Sequence, residues 1–248
     1  MIAAARERLY VRHAAAADLG AWSVDRDVRW DEIDVARASA RPELLGRLRD
    51  AAIVESYHPV NIARLLQLAT DDVNAGALLS IELYDGFKHF HALSRYLDVV
   101  GFEPAITDED ILAARRRAPD GGVVAEDIVT GLVVFMLSEH LASYFFRRLG
   151  EQAPEPVLAE LLSLIAADEA RHAQATSDLL AQRISADASV VRRILDAAAG
   201  FRHFGEQAVG AVPVALAGDP LAIRTFATRI EQLCGVRLVD HIKATLRP

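Results

Sequence analysis

The spacing of apolar side chains along the chain predicts four long helices. In the first of them Leu44, Leu45 and Leu48 recur at the intervals of three and four residues that place side chains on one helix face. Asp72 is suited to cap the start of the second, and Gly101 follows its end. The predicted helices cover about 43–69, 72–100, 123–149 and 155–183. Four helices of this length are typical of a bundle.

Shorter elements precede, interrupt and follow these four helices. Residues 1 to about 40 read as a short helix and an irregular stretch, whose Trp22 and Trp30 we expect to cover one end of the core. A short helix that starts at Thr107 stops near a loop at 119–122. Three further helices are predicted near 187–203, 218–233 and 235–246. With no strand pattern, the sequence predicts an all-α protein and a single domain over 1–248, with a core bundle at about 43–183 and a C-terminal helical covering at about 187–246.

Pro59 interrupts the first long helix shortly after a glutamate, Glu55. A proline inside a helix removes one backbone hydrogen bond and clashes with the preceding turn. We therefore expect the first helix to bend next to Glu55.

Composition and charge exclude several functional classes. Hydrophobic residues make up 52% of the chain and the formal net charge is −8, which argues against non-specific binding of nucleic acid. Cys234 is the single cysteine, so no internal disulfide can form and a reducing compartment is expected. No apolar run reaches the length of a membrane span, and charged residues at 6–8 leave no signal-peptide block. We expect a cytoplasmic protein.

The fourth helix carries the clearest chemical motif, Asp168-Glu-Ala-Arg-His172. Three residues apart on a helix, Glu169 and His172 project from one face about 4.5 Å apart along the axis, so both can bind one metal ion. Apolar residues precede the motif on the same helix, among them Leu161 and Leu162, and they indicate that this face is buried. A buried Glu-x-x-His pair is one quarter of the ligand set of a di-iron or di-manganese carboxylate site.

Glu139 is a second unusual carboxylate, because the predicted third helix carries no charge from Ile128 until this residue. A helix that is apolar on all sides is buried, and an unpaired buried carboxylate is costly. Glu139 must therefore be protonated, paired with a cation such as Arg147, or bound to metal.

Helix lengths place the candidate ligands at one level of an antiparallel bundle. At 1.5 Å per residue, Glu55, Asp85 and His89 all lie about 20–25 Å from a turn near residue 71, and Glu82 about 15 Å from it. In the other helix pair Glu139 lies about one turn from the motif in the fourth helix. The predicted layer contains Glu55, His89, Glu139, Glu169 and His172.

In this order and spacing the chain resembles the ferritin-like di-iron proteins, and among them the soluble acyl-carrier-protein desaturases of the short actinobacterial type. The resembling features are Glu55 followed by Pro59, His89 followed by Tyr96-Leu97, the lone Glu139, the motif at 168–172 and an element at 201–205. The resemblance implies a ferritin-like four-helix bundle with additional N- and C-terminal helices. It also implies two bound iron ions, with manganese as an alternative metal, and O₂ as co-substrate.

The second helix departs from the family pattern, which has Glu-x-x-His where this chain has Gly86 three residues before His89. Asp85 shares the face of His89 and is one candidate for the missing ligand. Glu82 is the other, although it lies about 10.5 Å from His89 along the axis and needs the helix to unwind. If neither binds, a lopsided or single-metal site remains. Lys88 also stands where the relatives usually have arginine, and Ala142 where plant members have threonine.

The candidate metal ligands are Glu55, Asp85, Glu82, His89, Glu139, Glu169 and His172. Asp168 is expected to accept the outer ring N–H of a ligating histidine. His58, His91 and His140 are expected at the surface or in an outer shell, and Tyr57, Tyr84 and Tyr144 in the core.

The resemblance implies an O₂-dependent di-iron oxidoreductase that desaturates or oxygenates an apolar or acyl substrate, free or carried on an acyl carrier protein. It further implies a ferredoxin-like electron donor and a homodimer. Hydroxylation or N-oxygenation of a small metabolite stays open, since the second-helix glutamate is missing. Two further alternatives are a non-catalytic or single-metal relative that serves as a binding or scaffold protein, and an iron-storing or iron-oxidising ferritin-like protein.

Overall fold

The computed structural model describes residues 8–117, 127–203 and 219–245, and within these ranges it contains α-helices and no strand. The helices are α1 (Leu9–Leu19), α2 (Val35–Ser39), α3 (Pro42–Glu55), α4 (His58–Leu68), α5 (Val73–Val99), α6 (Asp108–Arg117), α7 (Ile128–Gly150), α8 (Pro156–Ala186), α9 (Val190–Ala199), α10 (Pro220–Cys234) and α11 (Leu238–Thr245). A 3₁₀ turn covers Trp30–Glu32. The all-α prediction is confirmed.

Two helix pairs build the bundle. The segments α3 and α4 pack end to end along α5, while α7 packs along α8, and contacts between α5 and α8 join the two pairs. Short connections make the partners in each pair antiparallel. Outside the bundle, α1 lies against α5 and α8, α9 packs on α7, and α10 contacts both α7 and α9.

The long helices begin and end where the sequence places their caps. The Asp72 side chain accepts a hydrogen bond from the Ala75 N–H at 2.9 Å, and Gly101 adopts a φ of +63° beyond the end of α5. Asp127 and Glu155 cap α7 and α8 in the same way. The predicted start of the third helix near 123, the loop at 119–122 and part of the 201–205 element lie outside the described residues.

The first predicted helix is broken rather than bent. It ends at Glu55, continues through two linking residues and restarts as α4 at His58, with Pro59 in the first turn. Proline is well tolerated there because the first N–H groups of a helix have no intrahelical acceptor. The Ser56 hydroxyl donates to the Ile53 carbonyl at 2.6 Å and closes the end of α3. The break directs the His58 ring toward the bundle interior, beside Glu55.

A polar layer divides the apolar core in two. One apolar cluster includes Leu48, Leu93 and Phe146, and the other includes Leu65, Leu132 and Leu180. Between them lie the parts of α3, α5, α7 and α8 that carry the predicted ligands. Trp22 is buried in the first cluster and Trp30 packs against it, as expected. The tyrosine predictions hold in part: Tyr57 is buried, Tyr144 is half-buried, and Tyr84 is 69% exposed.

Helix α7 is the one described helix long and apolar enough to cross a membrane by length and composition. It packs against α8, α9, α10 and α4, and 61% of its most apolar window is buried within the protein. The core helix of a soluble protein has these properties, so the apolar character of α7 is accounted for by its central position.

Candidate metal centre

Five of the predicted ligands meet in the polar layer. Glu55 comes from α3, His89 from α5, Glu139 from α7, and Glu169 with His172 from α8; none is more than 4% exposed. They form two groups, Glu55–His89–Glu169 and Glu139–Glu169–His172, and in each group the potential ligand atoms lie within 4.8 Å of one another. Glu169 belongs to both groups.

The two oxygens of Glu169 face two different histidines. Oε1 of Glu169 lies 2.9 Å from Nδ1 of His89, and Oε2 lies 3.2 Å from Nδ1 of His172. The remaining glutamates complete the groups: Glu55 Oε2 is 3.7 Å from His89 Nδ1, and Glu139 Oε2 is 3.2 Å from His172 Nδ1. If each group held one ion, Glu169 would serve both, together with one glutamate and one histidine in each group.

Unsatisfied atoms at this centre fit a pair of metal ions. Glu55 Oε2, His89 Nδ1 and Glu169 Oε1 are buried and make no well-aligned hydrogen bond within the described residues, although His89 Nδ1 and Glu169 Oε1 lie 2.9 Å apart. Each such atom costs about 1–3 kcal/mol if it stays unpaired. Carboxylate oxygens and imidazole nitrogens with no thiolate suit iron and manganese. Metal coordination would satisfy all three atoms at once.

The outer nitrogen of each histidine is held by an aspartate. His89 Nε2 lies 3.1 Å from Asp168 Oδ2, and His172 Nε2 lies 3.1 Å from Asp85 Oδ2. A carboxylate in this position fixes the tautomer and directs the other ring nitrogen inward, as around metal-bound histidines. Asp168 occupies the place that the sequence predicts for it. Asp85, predicted as a ligand, lies outside both groups and positions the His172 ring.

Two cations neutralise these aspartates. Lys88 Nζ is 2.8 Å from Asp85 Oδ1 and 2.9 Å from Asp168 Oδ2, while Arg171 approaches each aspartate to 2.5 Å. Burial by itself would raise the pKa of Asp85, but the hydrogen bond from His172 and the Lys88 cation lower it to about 2. Asp85 is thus an ionised group already paired with cations, which explains why its carboxylate does not face the inner layer.

Glu82 also lies outside both groups. It is 2% exposed, and its nearest hydrogen-bond partner is the Thr176 hydroxyl at 3.5 Å. Burial raises the pKa of Glu82 to about 8, and the charges of Glu169 and Asp85 act in the same direction. Helix α5 runs without interruption from Val73 to Val99, so the unwinding that would bring Glu82 to the ions does not occur.

The fold is ferritin-like. The chain is similar to the solved structure of an R2-like ligand-binding oxidase from Sulfolobus acidocaldarius, with a TM-score of 0.62, 14% sequence identity and 94% of each chain covered. No protein-family model and no curated protein matches the sequence. A likeness at this identity shows the fold alone, and it does not support the narrower resemblance to acyl-carrier-protein desaturases.

Within this polar layer, protons and hydrogen bonds compensate part of the negative charge. Burial and the neighbouring Glu169 raise the pKa of Glu139 well above its ordinary range. Burial would lower the pKa of His172, but its hydrogen bonds with Asp85, Glu139 and Glu169 raise it well above the usual value. Both shifts favour proton binding, which lowers the negative charge of the inner layer.

Trp22 belongs to the site although sequence reasoning placed it only over the core. Its indole Nε1 donates to Asp168 Oδ2 at 2.8 Å, and its ring lies parallel to that of His89, with centroids 6.3 Å apart. Lys88 Nζ lies 4.4 Å from the centre of the indole ring. The residue sits in an irregular segment without periodicity, so no sequence signal connects it to His89.

His58, which the sequence analysis expects at the surface or in an outer shell, lies beside two candidate ligands. Its side chain is 12% exposed, and its Nδ1 lies 3.4 Å from Glu55 Oε2 while its Nε2 lies 3.8 Å from Glu139 Oε1. Burial lowers the pKa of His58, so the ring is neutral at pH 7. The other two histidines expected in an outer shell, His91 and His140, belong to neither ligand group. His91 is exposed, and His140 is half-buried, with a pKa that burial lowers to about 4.

Proposed function

We propose that this protein is a di-metal oxidase of the ferritin-like type, which uses O₂ to oxidise an apolar substrate with two bound iron ions or an iron–manganese pair. One observation carries the proposal: two buried ligand groups share Glu169, and three of their atoms make no well-aligned hydrogen bond within the described residues. The ferritin-like fold supports it, because this fold places a carboxylate and histidine site between four helices.

Each ion has a defined set of protein ligands in this proposal. Glu55, His89 and Glu169 would hold one ion, and Glu139, Glu169 and His172 the other. Iron bound there would supply the redox chemistry toward O₂ that amino-acid side chains lack. The three glutamates contribute three negative charges, which offset most of the charge of two divalent ions.

The surrounding residues keep the ligands in place and keep water out. Asp168 and Asp85 hold the outer nitrogens of His89 and His172, so that Nδ1 of each ring points inward. The apolar clusters above and below the layer, with Phe135 and Met136 among the fully buried residues of α7, exclude solvent. A dry, preorganised site strengthens electrostatic interactions and limits side reactions of an oxidising centre.

The substrate class, the reaction type and the electron donor are also proposed. We propose an acyl chain or another apolar molecule, free or on an acyl carrier protein, that reaches the centre beside α7 and receives desaturation, hydroxylation or N-oxygenation, with electrons from a ferredoxin-like donor. A cavity of about 530 Å³, lined by Leu68, Asn74, Ile128 and Arg183 among others, lies near the start of α5. Its lining residues at the start of α5 are about 23 Å from His89 along that helix, so this cavity does not adjoin the ligand groups.

Metal loading and oxygen consumption test the proposal directly. Anaerobic incubation with ferrous iron should load about two irons per chain, and addition of O₂ should produce oxygen uptake and an oxo-to-iron absorption band. Glu169→Ala should abolish loading because Glu169 belongs to both ligand groups. Asp178→Asn is a matched control on the same helix, where the side chain pairs with His13 and Arg12 near the surface. Unchanged iron content in the Glu169 variant would contradict the proposal.

The alternatives give different outcomes in the same experiment. A non-catalytic or single-metal scaffold would load at most one iron and consume no O₂. An iron-storing protein would go on taking up iron well beyond two per chain. The three buried glutamates of the inner layer favour the two-metal oxidase, because burial of carboxylates is costly and a scaffold would not need them.

The cellular setting and the assembly are proposed as well. We propose a cytoplasmic homodimer that forms through the long helices. Tyr84 and Phe87 on α5 support this assembly, being 69% and 52% exposed. Light scattering should give the mass of a dimer for the natural protein and of a monomer for Phe87→Glu; a monomeric natural protein would contradict the assembly.

A further inference from the structure

Gly86 and His58 occupy the place where a ferritin-like centre has its second-helix carboxylate. In the common ligand pattern, two helices each supply a glutamate and two supply Glu-x-x-His. Here α8 supplies the full Glu169–His172 pair, while α5 supplies His89 with Gly86 in the glutamate position. The inner layer therefore has three carboxylates from α3, α7 and α8 and none from α5.

The space that a side chain at position 86 would need is filled by an imidazole. A Cβ atom built on Gly86 would lie 2.3 Å from Cγ, 2.5 Å from Cδ2 and 2.7 Å from Nδ1 of His58. Real Cβ atoms essentially never approach other atoms so closely, and the atoms met here belong to a ring rather than to a flexible chain end. Glycine at position 86 and the inward orientation of His58 thus depend on each other.

The break between α3 and α4 positions the His58 ring in the space beside Gly86. Since α3 ends at Glu55 and α4 restarts at His58, the histidine is not part of one continuous helix with the glutamate. The His58 ring packs edge-on against Phe135 of α7, with ring centroids 6.1 Å apart. Phe135, Gly86 and the backbone break together hold the ring between the two ligand groups.

Both nitrogens of the ring face carboxylates that belong to the centre. Nδ1 lies 3.4 Å from Glu55 Oε2, in the first ligand group, and Nε2 lies 3.8 Å from Glu139 Oε1, in the second. Nε2 is buried and makes no hydrogen bond within the described residues. Glu139 directs its other oxygen, Oε2, toward His172 at 3.2 Å, so this carboxylate lies between two imidazoles.

These distances fit a metal ligand better than a side chain that only fills space. Two ligand atoms at about 2.1 Å from one ion lie about 3–4 Å apart. His58 Nε2 has this separation from Glu139 Oε1, at 3.8 Å, but it lies outside both ligand groups, so binding would require the ring to move toward Glu169 and His172. A histidine that served only to fill space would leave its buried nitrogen unsatisfied, at a cost of about 1–3 kcal/mol.

We propose that His58 replaces the missing second-helix carboxylate and binds, through Nε2, the ion held by Glu139, Glu169 and His172. The inference rests on the proposed two-metal function and identifies the ligand that compensates for Gly86. With two divalent ions, the centre then has three imidazoles and three carboxylates, and its net charge is one unit more positive than with a fourth glutamate.

Metal titration and X-ray absorption test the assignment without any measurement of activity. The natural protein should bind two cobalt(II) or iron(II) ions, with an average of 1.5 imidazoles per ion in the absorption fine structure. His58→Ala should bind one of the two ions at least tenfold more weakly, and the imidazole average should fall to about one at full loading. His91→Ala, which removes an exposed histidine from α5, should change neither quantity.

A reciprocal pair of variants keeps the test informative if His58→Ala folds poorly. Gly86→Glu alone should lose metal and stability, because its side chain collides with the imidazole. The double variant His58→Ala/Gly86→Glu should recover two-ion binding, since the new carboxylate enters the vacated space. Recovery supports the assignment, and a double variant no better than Gly86→Glu overturns it.

The outcomes separate the two proposals. If the natural protein binds fewer than two ions, both the proposed function and the role of His58 are wrong. If it binds two ions and His58→Ala retains both affinities and the average of 1.5 imidazoles, the proposed function stands and the assignment of His58 fails.

Discussion

Replacement of Asp168 by asparagine is expected to weaken one metal site and to destabilise the metal-free protein. Asp168 is 1% exposed and accepts hydrogen bonds from Trp22 Nε1 and His89 Nε2 while it pairs with Lys88 and Arg171. Asparagine keeps the size of the side chain but removes its charge, and one of its two acceptor positions becomes a donor. Four donors then compete for a single amide oxygen.

The magnitude follows from which partners remain. Removal of one member of a buried ion pair costs about 3–5 kcal/mol. Lys88 and Arg171 keep their second partner, Asp85, so we expect the free energy of unfolding of metal-free Asp168→Asn to fall by about 3 kcal/mol, the lower end of that range. Loss of the group that orients His89 should weaken the ion at Glu55–His89–Glu169 by about 10–100-fold.

Urea unfolding of the metal-free protein and anaerobic cobalt(II) titration measure the two effects. Asp85→Asn is the matched variant, because it removes the aspartate on His172 and should weaken the other ion instead. Asp178→Asn loses pairs with the exposed Arg12 and the buried His13, but Asp178 belongs to neither ligand group, so both affinities should stay unchanged. If Asp168→Asn binds both ions as tightly as the natural protein, the aspartate does not position a ligand and the outer layer has been misinterpreted.

Two further predictions concern groups outside the ligand sets. Burial raises the pKa of Glu82 to about 8, so its destabilising effect on the metal-free protein is absent below about pH 4.5, grows between pH 4.5 and 8 and is constant above that range. Glu82→Gln should therefore stabilise the metal-free protein by a few kcal/mol more at pH 8 than at pH 5, with two ions still bound; equal effects at both pH values would contradict the buried-acid interpretation. The Tyr96 hydroxyl donates at 2.9 Å to Glu155, the residue that caps α8. Tyr96→Phe should lower the unfolding free energy by about 1.5–3 kcal/mol. Metal affinity should not change, because residue 96 lies about 10 Å from His89 along α5. A changed metal affinity would show that the start of α8 and the ligand layer are coupled.

Much of the fold follows from local signals. Apolar periodicity and caps such as Asp72 and Glu155 place the long helices to within a few residues, because a helix end depends on groups close in sequence. Helix rise alone predicts that Glu55, His89, Glu139, Glu169 and His172 share a layer, since residues at equal distances from a turn lie at equal heights in an antiparallel pair.

The tertiary structure decides which of the remaining polar residues face the layer. Asp85 shares a helix face with His89, yet Lys88 and Arg171 hold it outside, and Arg171 comes from another helix. The sequence predicts His58 as a surface or outer-shell residue because its position depends on where the backbone breaks and on the room that Gly86 leaves on another helix. Spacing along one helix determines which side chains can meet, whereas contacts between helices, invisible to any local pattern, determine which of them do.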